Sequence, residues 1–293
     1  MLAEAWTGGM LSGHAVTNTY DAFLRRTGLK SQISGSQITA HDYAYDSAGR
    51  LASAADGYYS GTYSYLADSP LVSQITFKSN TTVRLNTTKS YDYLNRLTSI
   101  NSVGSGSTNP AVTSFGYAYN NANQRTRVGL PDGSFWIYEY DALGQVKSGN
   151  RYWSDWTPVA GQQFEYGFDD IGNRTSTKAG GDSAGANLRS ASYTNNSLNQ
   201  ITGRDVPGYI SIIGAATATA TNVNVNNALA YRRGEYFWKE LSVGNTSAAQ
   251  WRSVTNRAVQ NGTTNAVTGN VFLAKTAEVF GYDSTKAKGI HVK

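Results

Sequence analysis

One short unit recurs along this chain, and its recurrence constrains the fold more than any other feature. A well-kept copy reads Tyr138-Glu139-Tyr140-Asp141-Ala142-Leu143-Gly144-Gln145-Val146, and the pattern returns as Phe168-Asp169-Asp170-Ile171-Gly172-Asn173-Arg174-Thr175. The unit is an aromatic residue, an acid, a short polar turn holding Gly or Asn, then a polar residue leading into an apolar one or Thr. Further copies lie at Tyr20-Asp21, Tyr45-Asp46-Ser47-Ala48-Gly49-Arg50, Tyr63-Ser64-Tyr65, Tyr91-Asp92-Tyr93-Leu94-Asn95-Arg96 and Tyr119-Asn120, with a last copy, from Tyr193 to Thr202, that has lost the acid. Anchors at positions 20, 45, 65, 91, 119, 140, 168 and 195 describe a fixed unit with elastic joints. Self-similarity at such a period marks a repeat architecture, in which a unit too small to bury its own apolar face buries it against neighbours.

Within a unit the pattern is strand, turn, strand, turn. Asp132-Gly133 has the composition of a tight hairpin turn and is followed by the alternating Phe135-Trp136-Ile137-Tyr138; Asp56-Gly57 fills the same slot before Tyr63. Each motif residue has a structural task. The tyrosine is expected to pack on its counterpart one repeat over. The acid caps the turn through its own side chain, Gly49, Gly144, Gly172 or Asn95 takes the left-handed position, and Arg50 or Arg96 is expected to bridge to the acid of an adjoining turn. Eight such hairpins predict an all-β fold, a long antiparallel sheet that accumulated twist makes curl into a spiral or partial shell. The joints Ser102 to Asn109 and Ala179 to Asn187 are expected to be surface loops.

Composition agrees with this and excludes several classes. Tyr outnumbers Phe by 20 to 9, as suits half-buried strands whose rings pack while their hydroxyls reach a partner. The absence of Cys removes disulfides, thiolate metal sites and cysteine nucleophiles. The net charge of +5 is spread singly apart from Lys286 to Lys293, which argues against nucleic acid. No apolar run is long enough to span a membrane as a helix, and Met1 to Met10 lacks the form of a signal peptide.

The repeat stops near Asp205. Thr217 to Val225 alternates small and polar residues like a strand with one wet face, and Tyr236, Trp238 and Trp251 are expected in the core of a small β-sandwich. Phe280-Gly281-Tyr282-Asp283 then opens a ninth, incomplete unit. The expected organisation is a repeat segment over 1–204, an inserted β-sandwich over 205–278, and an incomplete repeat with its tail over 279–293.

The motif Tyr45-Asp46-x-x-Gly49-Arg50-Leu51, with its relatives at Tyr91, Tyr140 and Phe168, resembles the tyrosine-aspartate repeat of the bacterial Rhs proteins, a family related to the teneurins and to toxin-complex shell proteins. The likeness covers roughly residues 15 to 204 and the stub at 280. It implies a spiral β-shell, secreted or displayed at the cell surface, whose partners are the remaining repeats of a longer protein and an enclosed C-terminal segment or toxin. Full shells of this kind use more repeats, so the chain is expected to be a fragment or truncated relative.

Catalysis has little to stand on in this sequence. Residues copied eight times are building parts, which covers Tyr20, Asp21, Asp46, Asp92, Tyr119, Asn120, Asp141 and Asp169. The enzyme reading would pair carboxylates for glycoside hydrolysis among Glu139, Asp141, Glu165, Asp169 and Asp170. His14, His41 and His291 lack metal-ligand spacing, and Asp169 to Asn173 lacks the further oxygens a Ca²⁺ loop needs. No cofactor or metal is expected. One feature stands outside the repeat, the loop Tyr152-Trp153-Ser154-Asp155-Trp156, where Trp153 and Trp156 could offer a platform for a sugar ring or a partner, or pack beneath a neighbouring hairpin. The alternative to a structural shell is therefore a carbohydrate-binding or cell-surface-binding module.

Overall fold

The computed structural model describes residues 2–105 and 112–281. Residues 106–109 of the first expected loop, Tyr282-Asp283 of the ninth unit, Lys286 to Lys293 and His291 lie outside them. The fold is all-β: among the described residues the one helical element is a 3₁₀ turn, Gly9–Leu11. The chain divides into two compact units, 1–118 with 129–132, and 119–128 with 133–293.

The first unit contains β1 (Leu2–Ala5), β2 (His14–Tyr20), β3 (Arg26–Ile33), β4 (Ser36–Tyr45), β5 (Leu51–Ala55), β6 (Tyr59–Tyr65), β7 (Val72–Ser79), β8 (Thr82–Tyr91), β9 (Leu97–Gly104) and β10 (Val112–Tyr119). Each pairs antiparallel with the next in chain order. The expected loop at Ser102 therefore begins as strand, for Ser102 to Gly104 belong to β9.

The second unit contains β11 (Arg125–Gly129), β12 (Phe135–Tyr140), β13 (Val146–Tyr152), β14 (Pro158–Phe168), β15 (Arg174–Gly180), β16 (Leu188–Asn195), β17 (Ile201–Arg204), β18 (Tyr209–Ala215), β19 (Asn222–Val225), β20 (Ala228–Leu229), β21 (Tyr231–Arg233), β22 (Tyr236–Ser242), β23 (Gln250–Gln260), β24 (Thr263–Leu273) and β25 (Glu278–Val279). From β12 to β17 the ladder again runs in chain order. β25 adds to β17 through Gly203↔Val279 and Arg204↔Glu278, so the chain leaves this ladder after Arg204 and rejoins it beside the strand it left.

Between those points lie two small sheets, β18-β22-β21 and β20-β19-β23-β24. Val223, Val225, Ala230, Phe237 and Val254 form their buried core, with Ile212, Leu241 and Val271 packed against it. The alternation over 217–225 is strand only from Asn222, where Val223 and Val225 point inward. All three aromatic residues expected in this core stand outside it: Trp251 is 72% exposed, and Tyr236 and Trp238 lie on the opposite face of β22 from Phe237, which occupies it.

Burial is uneven along the chain. Every fully buried hydrophobic side chain among the described residues belongs to the second unit, including Phe135, Val159 and Ala160 of the repeat ladder. In the first unit β2, β5, β7 and β9 are half-buried along most of their length, as in a single layer of sheet, whereas β1 and most of β4 are exposed.

Candidate functional site

Every second connection in chain order is a motif turn, so within each unit these turns lie at one end of the strands. In the copy at Tyr45 the N–H of Asp46 donates to the carbonyl of Arg50 at 2.8 Å and the N–H of Gly49 donates to the carbonyl of Asp46 at 2.9 Å. The Asp46 carboxylate accepts from the N–H groups of Ala48 and Arg50 through Oδ1, and from the Arg50 guanidinium through Oδ2 at 2.8 Å. Gly49 sits at φ 80, and its counterparts Asn95, Asn123, Gly144, Gly172 and Asn199 also take positive φ. These are the residue types that enter the left-handed region at least cost, yet in the first copy the position belongs to Leu24, at φ 61. Each anchor, Tyr20, Tyr45, Tyr65, Tyr91, Tyr140, Phe168 and Asn195, also marks a break in strand register. Such a bulge gives the strand room to enter the turn.

The arginine pairs with the acid of its own turn and not with the adjoining one, Arg25 with Asp21, Arg50 with Asp46 and Arg96 with Asp92, and Arg50 reaches the next turn only to donate to the Ser69 carbonyl and cover the Tyr65 ring. A spacing of four residues across a closed loop brings the guanidinium back to its own cap, whereas the next turn lies two strands away. Where the cap is Asn, its partner is Gln: Asn120 Nδ2 donates to Gln124 Oε1 at 2.6 Å, and Asn196 Nδ2 to Gln200 Oε1 at 2.9 Å. Communication between turns runs through tyrosine, in a way the sequence did not disclose. Tyr45 Oη donates to the carbonyl of Arg26, Tyr65 Oη to that of Leu51, Tyr91 Oη to that of Val72 and Tyr140 Oη to that of Arg125. Arg25 covers the Tyr45 ring at 4.6 Å and Arg50 the Tyr65 ring at 4.3 Å, so an arginine, not a second tyrosine, meets each of these faces.

These contacts set the acidity of the caps. The Arg50 side chain lowers the Asp46 pKa, and the Asn173 side chain does the same for Asp169. At Asp21 and Asp92 desolvation pushes upward, but hydrogen bonds from Arg25 and Arg96 more than cancel it. Such caps stay ionised and committed to their own loops. Asp169, the candidate Ca²⁺ ligand, already accepts from Ile171, the Asn173 backbone and Asn173 Nδ2. Among the described residues no group of three or more His, Asp or Glu side chains could hold a metal ion.

Glu139 and Glu165 face Ser148 from the strands on either side of it. Two strand spacings put their backbones about 10 Å apart, and Glu165 is held by Lys178 at 2.8 Å. Asp141 caps its own turn through the N–H groups of Leu143 and Gln145.

Two further turns use the same closure at the opposite end of the ladder. Asp182 accepts from Ala184 and Ala186, with Gly185 at φ 75, so the second expected loop is a compact motif turn. Its Asp-x-x-Gly spacing was legible; the Gly before it, in place of an aromatic anchor, hid it. The Trp153 loop is the other. Trp153 N–H donates to the Thr157 carbonyl and Trp156 N–H to the Trp153 carbonyl, both at 2.9 Å, so this loop belongs to the repeat grammar after all.

Its two indoles diverge. Trp153 is half-buried against Tyr236 at 5.5 Å, with Arg233 over its face at 5.1 Å. Trp156 occupies the left-handed position at φ 68, packs edge-on against Phe135 at 4.7 Å and is 61% exposed. Arg233 also pairs with Asp155 at 2.6 Å and holds its carboxyl well below the usual range.

The small sheets are fastened to the ladder nearby. Gly161, at φ 79, leaves the space that Trp238 fills, for a Cβ there would lie 2.5 Å from the indole. Tyr236 Oη donates to the Ala160 carbonyl, and burial pushes its pKa up to about 12. Beside them a cavity of about 420 Å³ is lined by Phe164, Ala191, Tyr193, Arg204, Tyr209 and Leu273, among others. Four of the charges around it form pairs, Arg189 with Glu240 and Arg204 with Glu278, while the Asp205 carboxylate accepts from the Ser192 N–H.

No family model matches the chain, and no curated protein matches it. Solved structures do. A chain in the crystal structure of TcdB2-TccC3-TEV matches 86% of this chain at 11% identity and a TM-score of 0.43. One in the TcdB2-TccC3 crystal structure matches 87% at 12% and 0.42, and one in the Photorhabdus luminescens Tc holotoxin pore 85% at 11% and 0.41. This chain spans 14%, 17% and 15% of their respective lengths. The fold and its turns by themselves define an all-β repeat protein of aromatic-Asx hairpins.

Proposed function

We propose that this chain is a stretch of structural wall, part of a secreted or surface-displayed shell that encloses or presents another segment of polypeptide. In this reading residues 1–204 are wall, 205–278 an insertion fastened to it, and 279–293 the opening of a further unit. The observation that carries it is the internal consumption of the motif. The Asp46 oxygens, the Arg50 guanidinium and the Tyr65 hydroxyl are satisfied within the ladder, and the same contacts recur from turn to turn. Such groups hold strands edge to edge, and their capping acids are committed to their own turns. The half-buried strands of the first unit fit a wall that lies against something else. No described helix is long and apolar enough to cross a membrane, which leaves β-barrels untouched.

The mass of the protein as its host makes it tests this proposal. A product several times larger than 31.6 kDa, with a segment that resists protease until the wall is unfolded, is expected. A product of this size with no shielded segment would sink the reading. One observation favours a second function: Trp156 presents an exposed indole backed by Phe135 and Arg127. Stacking on a glycan there predicts that Trp156→Ala abolishes retention on a glycan matrix while Trp153→Ala spares it; equal retention by both variants removes this reading.

A further inference from the structure

β24 is the outermost strand of its sheet, paired with β23 on one side and with no strand on the other among the described residues. All eleven of its residues pair in unbroken register, from Gln250↔Leu273 to Gln260↔Thr263, so no bulge twists the edge away. Its sequence, Thr263-Thr264-Asn265-Ala266-Val267-Thr268-Gly269-Asn270-Val271-Phe272-Leu273, contains neither a charge nor a proline. Residues 263–270 are exposed, Val267 to 72%. A free edge offers a row of unpaired N–H and C=O groups, and proteins usually guard such rows with shortness, charge, Pro, a bulge or a cover. Among the described residues, β24 shows none of these guards over 263–270. Of the other outer strands of the two small sheets, β20 has two residues and β21 has three, two of them arginines, while β18 has seven and lies against the ladder where its Ile213 meets Gly161.

We propose that β24 is an assembly edge, to which the β24 of a second copy of this chain adds antiparallel, joining two four-stranded sheets into one of eight. Charge identifies the occupant. An incoming strand meets no ionic group, so nothing on β24 selects an acidic or a basic partner. Set against itself, β24 opposes uncharged residue to uncharged residue in every register, free of the like-charge pairs that penalise most self-pairings. Thr263, Thr264, Val267, Thr268 and Val271 supply β-branched side chains on both sides of the ladder. The contact is isologous, so it closes on two copies. A single strand edge covers less than a standard interface, so the pairing is expected to form only as concentration rises. This inference does not rest on the wall reading.

The whole chain contains no Cys, so one cysteine introduced at each of positions 265 to 269 in turn carries a spin label at a single known place. Light scattering at rising concentration should show a species of twice 31.6 kDa. Label-to-label distances should be shortest at one position and lengthen by about 7 Å for each residue away from it, since both strands recede by one step of about 3.4 Å. Val267→Lys and, separately, Thr268→Pro should return the monomer with unchanged far-ultraviolet circular dichroism; should the proline variant unfold, the exposed lysine variant decides. A chain that stays monomeric at every concentration overturns the proposal. So does a dimer that survives Val267→Lys, or one whose labels lack that distance pattern.

Discussion

At the scale of the residue, a motif turn is a small closed circuit. Asp46 satisfies two backbone N–H groups and one guanidinium, and that guanidinium reaches on to cover Tyr65. Asp46→Ala should lower the melting temperature by a few degrees, and so should Arg50→Ala. The double change Asp46→Asn with Arg50→Gln should recover most of the loss, because it reproduces the neutral pair found at Asn120 and Gln124. Thermal melts of the three variants beside the unchanged protein check this; a double variant as unstable as Asp46→Ala would show that charge itself is required. Acid should act on the same circuits. Asp46 and Asp169 have folded pKa values below the ordinary 3.8, so their contribution is complete above that value and fades as the pH falls through it. Melting temperatures should be flat between about pH 5 and 8 and drop below about pH 4. Leu24 is the exception that exposes the rule. It holds φ 61 with its side chain 83% exposed, so Leu24→Asn should stabilise the chain by about 0.5–1 kcal/mol, read from denaturant midpoints. The capping acid and the Gly or Asn position were legible because both act within five residues. The tyrosine hydroxyl and the arginine over its ring were not, because their partners lie about twenty residues away and depend on which strands become neighbours.

Among the elements, the hairpin is the unit of construction and the insertion after β17 is the departure from it. Its attachment depends on a place where the ladder has no side chain. Gly161 admits Trp238, and its positive φ would strain any other residue. Gly161→Ala should therefore destabilise the second unit by about 2–3 kcal/mol through combined clash and backbone strain. Loss of the Tyr236 and Trp153 contact should appear with it as a change in near-ultraviolet circular dichroism. An unchanged melt would mean that Trp238 can move aside without cost. Sequence patterning found the strands here but misjudged Trp251, and with it Tyr236 and Trp238, which face the ladder. Alternation shows that a strand has two faces, and only the position of the opposing sheet decides which face is wet. Val254 faces the core while Trp251 pairs with Phe272 at 5.1 Å on the outside.

For the molecule as a whole, the distribution of buried side chains predicts where it opens first. Amide exchange follows local opening, which is costliest where apolar burial is densest. The second unit holds Phe135, Val159 and the Val223, Val225, Phe237 and Val254 core, whereas the ladders of the first unit join half-buried strands. Hydrogen exchange of the whole chain should place the slowest amides in β14, β19 and β22, with β5, β6 and β9 faster by an order of magnitude or more. Uniform protection across both units would show that the ladder's own hydrogen bonds, with their tyrosine and arginine ties, stabilise it without a core. The same measurement on the protein as its host makes it addresses the wall directly. If something lies against the half-buried strands of the first unit, exchange in β5, β6 and β9 should slow there while β19 and β22 keep their rates. Equal rates in the two preparations would mean that those strands face solvent in the natural product, and a wall with both faces wet encloses nothing.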